Sequence, residues 1–171
     1  MISAIFMADQ YGGVALQGKL PRDFKDRELD RILKLSENQV VVMGKKTWST
    51  LSHLIDLRGR KVYVFTNKKE NLPYYAIGVE GDSESVLKEI ELKNPEKEIF
   101  LLGGPSFVER SQHLLEKIYL THLGGYHKTD TRVQLRDMLA GMSIAMCESF
   151  PDDKSVFIRY ESLFRRPPAS S

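Results

Sequence analysis

The chain has 171 residues, a net charge of +2 and one cysteine, Cys147. This length suffices for one domain with a sizeable core, and so small a net charge gives no argument for a nucleic-acid partner. The lone cysteine excludes an internal disulfide framework and a multi-cysteine metal site, and no apolar run approaches the ~20 residues of a membrane span. We therefore expect a cytoplasmic monomer with no bound metal, no nucleic acid and no membrane association.

Strand-like and helical patterns alternate over most of the chain. Short apolar runs rich in Val, Ile, Phe and Tyr have the length and composition of β-strands. In chain order these runs are 2–8, 40–43, 61–66, 76–80, 98–104 and 117–123. Several are apolar at consecutive positions, which is typical of strands covered on both faces.

Three helices are expected between these strands. Residues 27–37 place leucine and isoleucine largely along one stripe, with charges on the rest of the surface, as in an amphipathic helix. Residues 83–92 follow Asp82, a good N-cap. Residues 105–115 begin with Pro105, which suits the first turn of a helix.

The end of the chain has a different pattern. Residues 143–150 and 155–163 are two strand-like runs separated by the letters PDDK, which is a hairpin signal. The preceding alternation of strands and helices implies parallel pairing. We therefore predict an α/β fold: one domain over residues 1–163 with a doubly wound, mostly parallel sheet, helices on both faces and an antiparallel C-terminal hairpin. Residues 164–171 are expected to form a flexible tail.

Three of the predicted strands end in residues suited to binding phosphate. These ends are Gly44, Lys45, Lys46 and Thr47; Gly103, Gly104, Pro105 and Ser106; and Thr66, Asn67 and Lys68. Open α/β sheets bind ligands outside the carboxyl ends of their strands, and helix N-termini attract phosphates there. Each motif alone is more typical of a capped strand with solvated lysines, and the pattern G-x-G-x-x-G is absent. Together, the three ends indicate a ligand with several phosphates.

Several motifs, taken in order, resemble the dihydrofolate reductase family along nearly the whole chain. They are MISAI, GKLP, an acidic residue in the first helix, VVMGKKTW, LRGRKVYVFTN, IFLLGGPSF, and KIYLTHL followed by TDT. The resemblance implies that the cofactor is NADPH. By resemblance, the cofactor-binding residues are Gly44, Lys45, Lys46, Thr47, Thr66, Asn67, Lys68, Gly103, Gly104, Pro105 and Ser106. The lysines among them favour NADPH over NADH, because the 2′-phosphate dianion requires nearby positive charge.

The resemblance also implies a catalytic acid in the first helix. An ungapped count places Glu28 at this position, and Glu28 shares a helix face with Ile32, so it should point inward. Asp23 and Asp26 stay open as alternatives if the alignment contains gaps. A carboxylate here can accept hydrogen bonds from the amino group and ring N–H of a pterin, and burial should raise its pKa. Thr121 matches the family threonine that bonds the acid.

The implied reaction is hydride transfer from NADPH to dihydrofolate, which gives tetrahydrofolate. Arg60 matches the family arginine that pairs with a substrate carboxylate, and Arg58 is a nearby competitor for this role. The apolar residues expected to face the substrate are Ile5, Met7, Leu29, Ile32 and Leu102.

The sequence departs from the family pattern at several positions. Arg22 follows GKLP where the family usually has tryptophan, Pro105 replaces the third glycine of the usual GGG, and Val108 stands where an aromatic residue is usual. Two alternatives therefore stay open: a related NADPH-dependent pyrimidine reductase of riboflavin synthesis, and a degenerate cofactor-binding protein without turnover.

Overall fold

Within residues 1–15, 25–124, 131–152 and 154–163, which the computed structural model describes, the chain forms ten β-strands and five α-helices. The strands are β1 (Ile2–Asp9), β2 (Gly13–Ala15), β3 (Val40–Gly44), β4 (Lys61–Phe65), β5 (Ala76–Val79), β6 (Ile99–Leu101), β7 (Lys117–Leu123), β8 (Thr131–Arg132), β9 (Met142–Phe150) and β10 (Ser155–Ser162). The helices are α1 (Lys25–Ser36), α2 (Lys45–Leu51), α3 (Ser83–Lys93), α4 (Pro105–Arg110) and α5 (Leu135–Leu139). None of these helices is long and apolar enough to cross a bilayer. The predicted tail, residues 164–171, lies outside the described residues.

Eight of the strands form one sheet, in the order β5-β4-β3-β6-β1-β7-β10-β9. The first six strands in this order, β5, β4, β3, β6, β1 and β7, pair in parallel with their neighbours. In contrast, β10 pairs antiparallel with both β7 and β9. The short strands β2 and β8 pair antiparallel in a small second sheet. The predicted α/β fold, with a mostly parallel sheet and an antiparallel C-terminal hairpin, is therefore confirmed.

Helices cover both faces of the large sheet. Successive residues of a strand point to opposite faces, so each strand contributes to two clusters. On one face, Leu87 of α3 and Phe107 of α4 belong to a buried cluster. On the other face, Leu29 of α1 and Leu51 of α2 belong to a second cluster. Residues 40–43 of β3 alternate between the two clusters. This explains why the sequence of β3 is apolar at consecutive positions.

Two predicted elements are shorter in the structure. The helix expected at 105–115 ends at Arg110, because Ser111 leaves helical geometry with φ −99° and ψ 6°. The strand expected at 98–104 ends two residues before Gly103, whose φ of +115° is far from extended backbone. The glycine pair therefore lies beyond the strand, at the carboxyl edge of the sheet.

Candidate active site

The carboxyl ends of the parallel strands bring predicted site residues together at one edge of the sheet. Thr121 of β7 is paired with Met7 of β1. The neighbouring strand β3 ends at Gly44, and Leu102 follows directly after β6. This edge is the place where open α/β sheets bind ligands.

The first turn of α1 places Glu28 in a buried network at this edge. Glu28 is only 2% exposed, and Thr121 Oγ1 donates a hydrogen bond of 2.8 Å to Glu28 Oε2. Arg31 lies one turn further along α1. Its Nη1 is 3.1 Å from the same Oε2 and donates a hydrogen bond of 2.7 Å to Thr121 Oγ1. The structure thus contains the expected contact between Glu28 and Thr121, and adds an arginine to it.

The second carboxylate oxygen of Glu28, Oε1, is buried and has no hydrogen-bond partner among the described residues. Burial raises the pKa of Glu28, as expected, against the opposing effects of the Thr121 hydrogen bond and the Arg31 charge. A buried acceptor without a partner is costly, and a donor from a bound ligand removes this cost. Oε1 is therefore the atom of Glu28 that can receive a substrate N–H.

The alternative acids differ from Glu28 in their position. Asp26 is exposed on the surface of α1. Asp23 lies within residues 16–24, outside the described residues, as do Arg22 and the GKLP motif. Thr129 and Asp130 of the TDT motif also lie outside them. Of the candidates that the structure describes, Glu28 is the buried one.

The predicted apolar residues are buried, and most of them share one cluster. The four in that cluster are Ile5, Leu29, Ile32 and Leu102. Met7 is also buried, but it packs with Leu123 instead. Leu29 and Ile32 lie on the same helix as Glu28, so the carboxylate of Glu28 lies next to an apolar surface that these two residues form. Such a surface suits a flat heterocycle that bonds through one edge.

Arg60 is fixed against the C-terminal half of α1. Its Nε donates to Ser36 Oγ at 3.0 Å, and its Nη2 donates to the Leu33 carbonyl at 2.7 Å. Its Nη1 donates to the carbonyl of Arg58 at 3.1 Å. A guanidinium has five N–H donors, so one N–H remains on each terminal nitrogen. The competing side chain, that of Arg58, is exposed and paired with Asp56 at 2.6 Å.

Two of the three predicted cofactor segments meet at Thr47. A Cβ at Gly103 would lie 3.5 Å from Thr47 Oγ1, and one at Gly104 would lie 3.7 Å from it. A Cβ at Gly44 would have no described atom within 4 Å, so the backbone there faces open space. Gly44 and Gly104 are the N-caps of α2 and α4 and provide no side-chain cap, which leaves backbone N–H groups of the first turns for a ligand. These segments fit the phosphates of a dinucleotide.

The polar residues predicted to surround these segments lie at the surface. The exposed ones are Lys45, Lys46, Asn67, Lys68 and Ser106, while Thr66 and Pro105 are partly buried. Thr66 Oγ1 accepts a hydrogen bond from the backbone N–H of Lys68 at 3.0 Å, which orders the turn after β4. Within the described residues, no group of His, Cys, Asp and Glu is arranged to hold a metal ion.

Arg31 is the site residue that the sequence did not single out. A charged residue on an amphipathic helix is normally solvated, and Arg31 is one of several charged residues on α1. The signal that could have found it is its position three residues after Glu28, since side chains at this spacing are neighbours on a helix.

The sheet order and this site define an α/β protein with a candidate ligand site at the carboxyl edge of a parallel sheet. Its parts are the buried carboxylate of Glu28 and the glycine-rich turns that follow β3 and β6. The sequence model of the dihydrofolate reductase family matches residues 1–156. The chain therefore belongs to the dihydrofolate reductase family, and the predicted family and enzyme class are confirmed.

Curated relatives agree with this assignment. The chain is 27% identical over 143 residues to dihydrofolate reductase type 8 of Escherichia coli, which covers 81% of this chain and 83% of that protein. It is 25% identical over 130 residues to the dihydrofolate reductase of Ureaplasma parvum serovar 3, covering 76% and 80% of the two chains. These matches favour a dihydrofolate reductase over the pyrimidine reductase alternative.

A solved structure shows the same fold. It is the dihydrofolate reductase of Enterococcus faecalis complexed with NADP(H) and a second compound, and its TM-score is 0.76 at 16% sequence identity. The likeness covers 96% of this chain and 97% of that one.

Proposed function

We propose that the protein reduces 7,8-dihydrofolate to 5,6,7,8-tetrahydrofolate with NADPH as the hydride donor. Family membership supports this reaction. The observation that carries it is the buried carboxylate of Glu28, whose Oε2 accepts from Thr121 and Arg31 and whose Oε1 has no partner among the residues that the structure describes. A pterin presents an amino group and a ring N–H side by side, and two such donors match the geometry of a carboxylate.

The positions of Glu28 and Arg60 fit a substrate that lies along α1. Arg60 contacts α1 at Ser36, eight residues after Glu28, which is about 12 Å along the helix axis. We propose that the pterin binds at Glu28 and that a carboxylate at the far end of the substrate binds the two remaining N–H groups of Arg60. Leu29 and Ile32 supply the apolar surface between these ends.

The chain's own part in the reaction is to bind, orient and supply a proton route. NADPH, when bound, supplies the hydride; we propose that the glycine pair, Thr47 and the turn after Gly44 hold it. Leu102 and Ile5 exclude water beside the reacting ring, since both are buried. Burial raises the pKa of Glu28, which makes its carboxylate a stronger base than an exposed glutamate and suits it to relay a proton, directly or through water, towards the reacting ring nitrogen.

Oxidation of NADPH with dihydrofolate as substrate at neutral pH tests the proposal, with tetrahydrofolate identified as the product. A reaction without dihydrofolate and a Glu28→Gln variant are the matched controls. Tight NADPH binding with no dihydrofolate-dependent oxidation would show the degenerate alternative instead. A cytoplasmic location and a monomeric state remain predictions, for cell fractionation and light scattering to test.

A further inference from the structure

Arg31 carries a buried positive charge at the centre of the site. Its side chain is 11% exposed, and its guanidinium carbon lies 3.9 Å from the centre of the Phe157 ring and 5.6 Å from that of Phe150. Stacking on aromatic faces stabilises a guanidinium and restrains its orientation. β9 and β10 thus hold Arg31 from one side, while Glu28 and Thr121 hold it from the other.

The contacts of Arg31 distinguish the two oxygens of Glu28. Oε2 lies 3.1 Å from Arg31 Nη1 and accepts the hydroxyl proton of Thr121. The Thr121 hydroxyl in turn accepts from Arg31 at 2.7 Å, so its single proton is directed to Oε2. Oε1 takes no part in this network. The network therefore fixes the carboxylate with one oxygen engaged and one available.

Arg31 is also the charged group that contacts Glu28 within the described residues. The neighbouring arginine Arg27 points elsewhere: it pairs with Asp152 at 2.9 Å and stacks on Phe150 at 3.9 Å. On the strands beside this network, Thr121 of β7 bonds to Glu28 and Phe157 of β10 stacks on Arg31. The charged residues further along β1 and β10 have partners of their own: Asp9 accepts from the backbone N–H groups of Tyr11 and Gly13, and Arg159 pairs with Glu161 at 3.5 Å. Within the described residues, Arg31 is therefore the charged group that stabilises the anionic form of Glu28, together with the hydrogen bond from Thr121.

We propose that Arg31 is a positioning residue for the reduction, which holds Glu28 as an anion with Oε1 free for the substrate and sets the pH below which substrate binding is lost. This inference rests on the proposed function. The substrate N–H needs Oε1 as its acceptor, and a proton taken up by the carboxylate would sit on Oε1, because Oε2 already accepts from Thr121 and Arg31. Binding should therefore weaken as the pH falls and Glu28 takes up a proton.

The test compares Arg31→Met with Arg27→Met, the arginine one turn earlier that also stacks on Phe150. The dissociation constant of dihydrofolate is measured from acid to neutral pH for both variants and the parent. Removing the Arg31 charge destabilises the carboxylate, so Glu28 is protonated at higher pH. We call the fall in dihydrofolate affinity at low pH the acid limb. In Arg31→Met, the midpoint of this acid limb should lie at least about one pH unit higher than in the parent, the lower end of the effect of an opposite charge at this distance. Arg27→Met should leave the limb in place.

Two further variants separate charge from packing. Arg31→Lys restores the charge and should return the acid limb close to that of the parent, whereas Arg31→Gln keeps a donor without the charge and should behave like Arg31→Met. Arg31→Gln also serves if Arg31→Met does not fold. An unmoved acid limb in folded Arg31→Met or Arg31→Gln, or an equal movement in Arg27→Met, would overturn the proposal.

A readout without substrate distinguishes this proposal from the proposed function. The titration of the Glu28 side-chain carboxyl is followed by carbon NMR in the free protein and assigned by its loss in Glu28→Gln. A shift to higher pH in Arg31→Met supports the coupling even if the parent does not reduce dihydrofolate. Normal reduction by the parent with no shift in Arg31→Met rejects the coupling and leaves the proposed function intact.

Discussion

Replacing Glu28 with glutamine tests the carboxylate directly, because the two side chains have the same shape. In the parent, Glu28 Oε2 accepts from Thr121 at 2.8 Å and lies 3.1 Å from Arg31 Nη1, while Oε1 has no partner among the described residues. Glutamine keeps these contacts only if its amide oxygen takes the place of Oε2. The NH₂ group then occupies the place of Oε1 and meets the substrate's own donors.

The expected loss follows from this geometry. Turnover with dihydrofolate should fall at least ~10²-fold, the lower range for a positioned acid–base group. This corresponds to about 2.7 kcal/mol of transition-state stabilisation. The remaining activity should rise as the pH falls, because protonation of the substrate by solvent replaces the lost route. Cofactor affinity should stay nearly unchanged, since Glu28 lies on α1, whereas the glycine turns lie at the ends of β3 and β6.

The assay is a pH–rate profile of Glu28→Gln beside Asp26→Asn and Asp23→Asn, with NADPH affinity measured by calorimetry. The two aspartate variants should be mild by comparison; Asp26 is exposed. Parental turnover in Glu28→Gln, together with a loss in either aspartate variant, would place the acid before Glu28 and refute the assignment. Parental activity in all three variants would refute the folate mechanism itself.

Three further predictions follow from the same site. Arg60→Leu should raise the Michaelis constant for dihydrofolate about 10- to 100-fold, the range of a hydrogen bond to a charged group, with less effect on turnover. Steady-state kinetics would check this, and the same effect in Arg58→Leu but not in Arg60→Leu would show that the wrong arginine was chosen. Gly103→Ala should lower the free energy of unfolding by about 1–3 kcal/mol, because its φ is +115°; thermal denaturation should show no such loss for Gly44→Ala, whose φ is −79°. NADPH should bind more tightly than NADH in calorimetric titration because lysines follow β3 and β4, and equal affinities at low salt would remove this charge argument.

Most of the fold could be predicted because its strands carry a local signal. The runs that became β1, β3 and β4 are apolar over four consecutive residues or more, since both faces of the sheet are covered. The small elements β2, β8 and α5 span two to five residues, too few for a hydrophobic period to be recognised. Strand order was equally out of reach, because it depends on contacts between distant parts of the chain.

The candidate site also contains residues that the sequence alone could indicate and one residue that it could not. The burial of Glu28 could be predicted because its helix position and the family motif agree, whereas the role of Arg60 follows from a motif alone and stays a prediction. Arg31 could not be predicted, since its burial depends on Phe157, a residue 126 positions later that β10 brings across the sheet beside β7. Local pattern therefore selects Glu28 as the candidate acid, but tertiary pairing places the charge of Arg31 beside it.

One departure from the family pattern, Val108, lies apart from the network of Glu28, Thr121 and Arg31. Val108 is buried in the cluster on the α3 and α4 face of the sheet, whereas α1 with Glu28 packs on the other face. The aromatic residue that Val108 replaces therefore lies on the face of the sheet away from α1, and its absence leaves the contacts of Glu28 with Thr121 and Arg31 unchanged. Arg31, as proposed, acts on the pH dependence of substrate binding. A variant at Val108 should therefore leave the pH at which dihydrofolate binding weakens unchanged, and the pH titration of dihydrofolate affinity would check this.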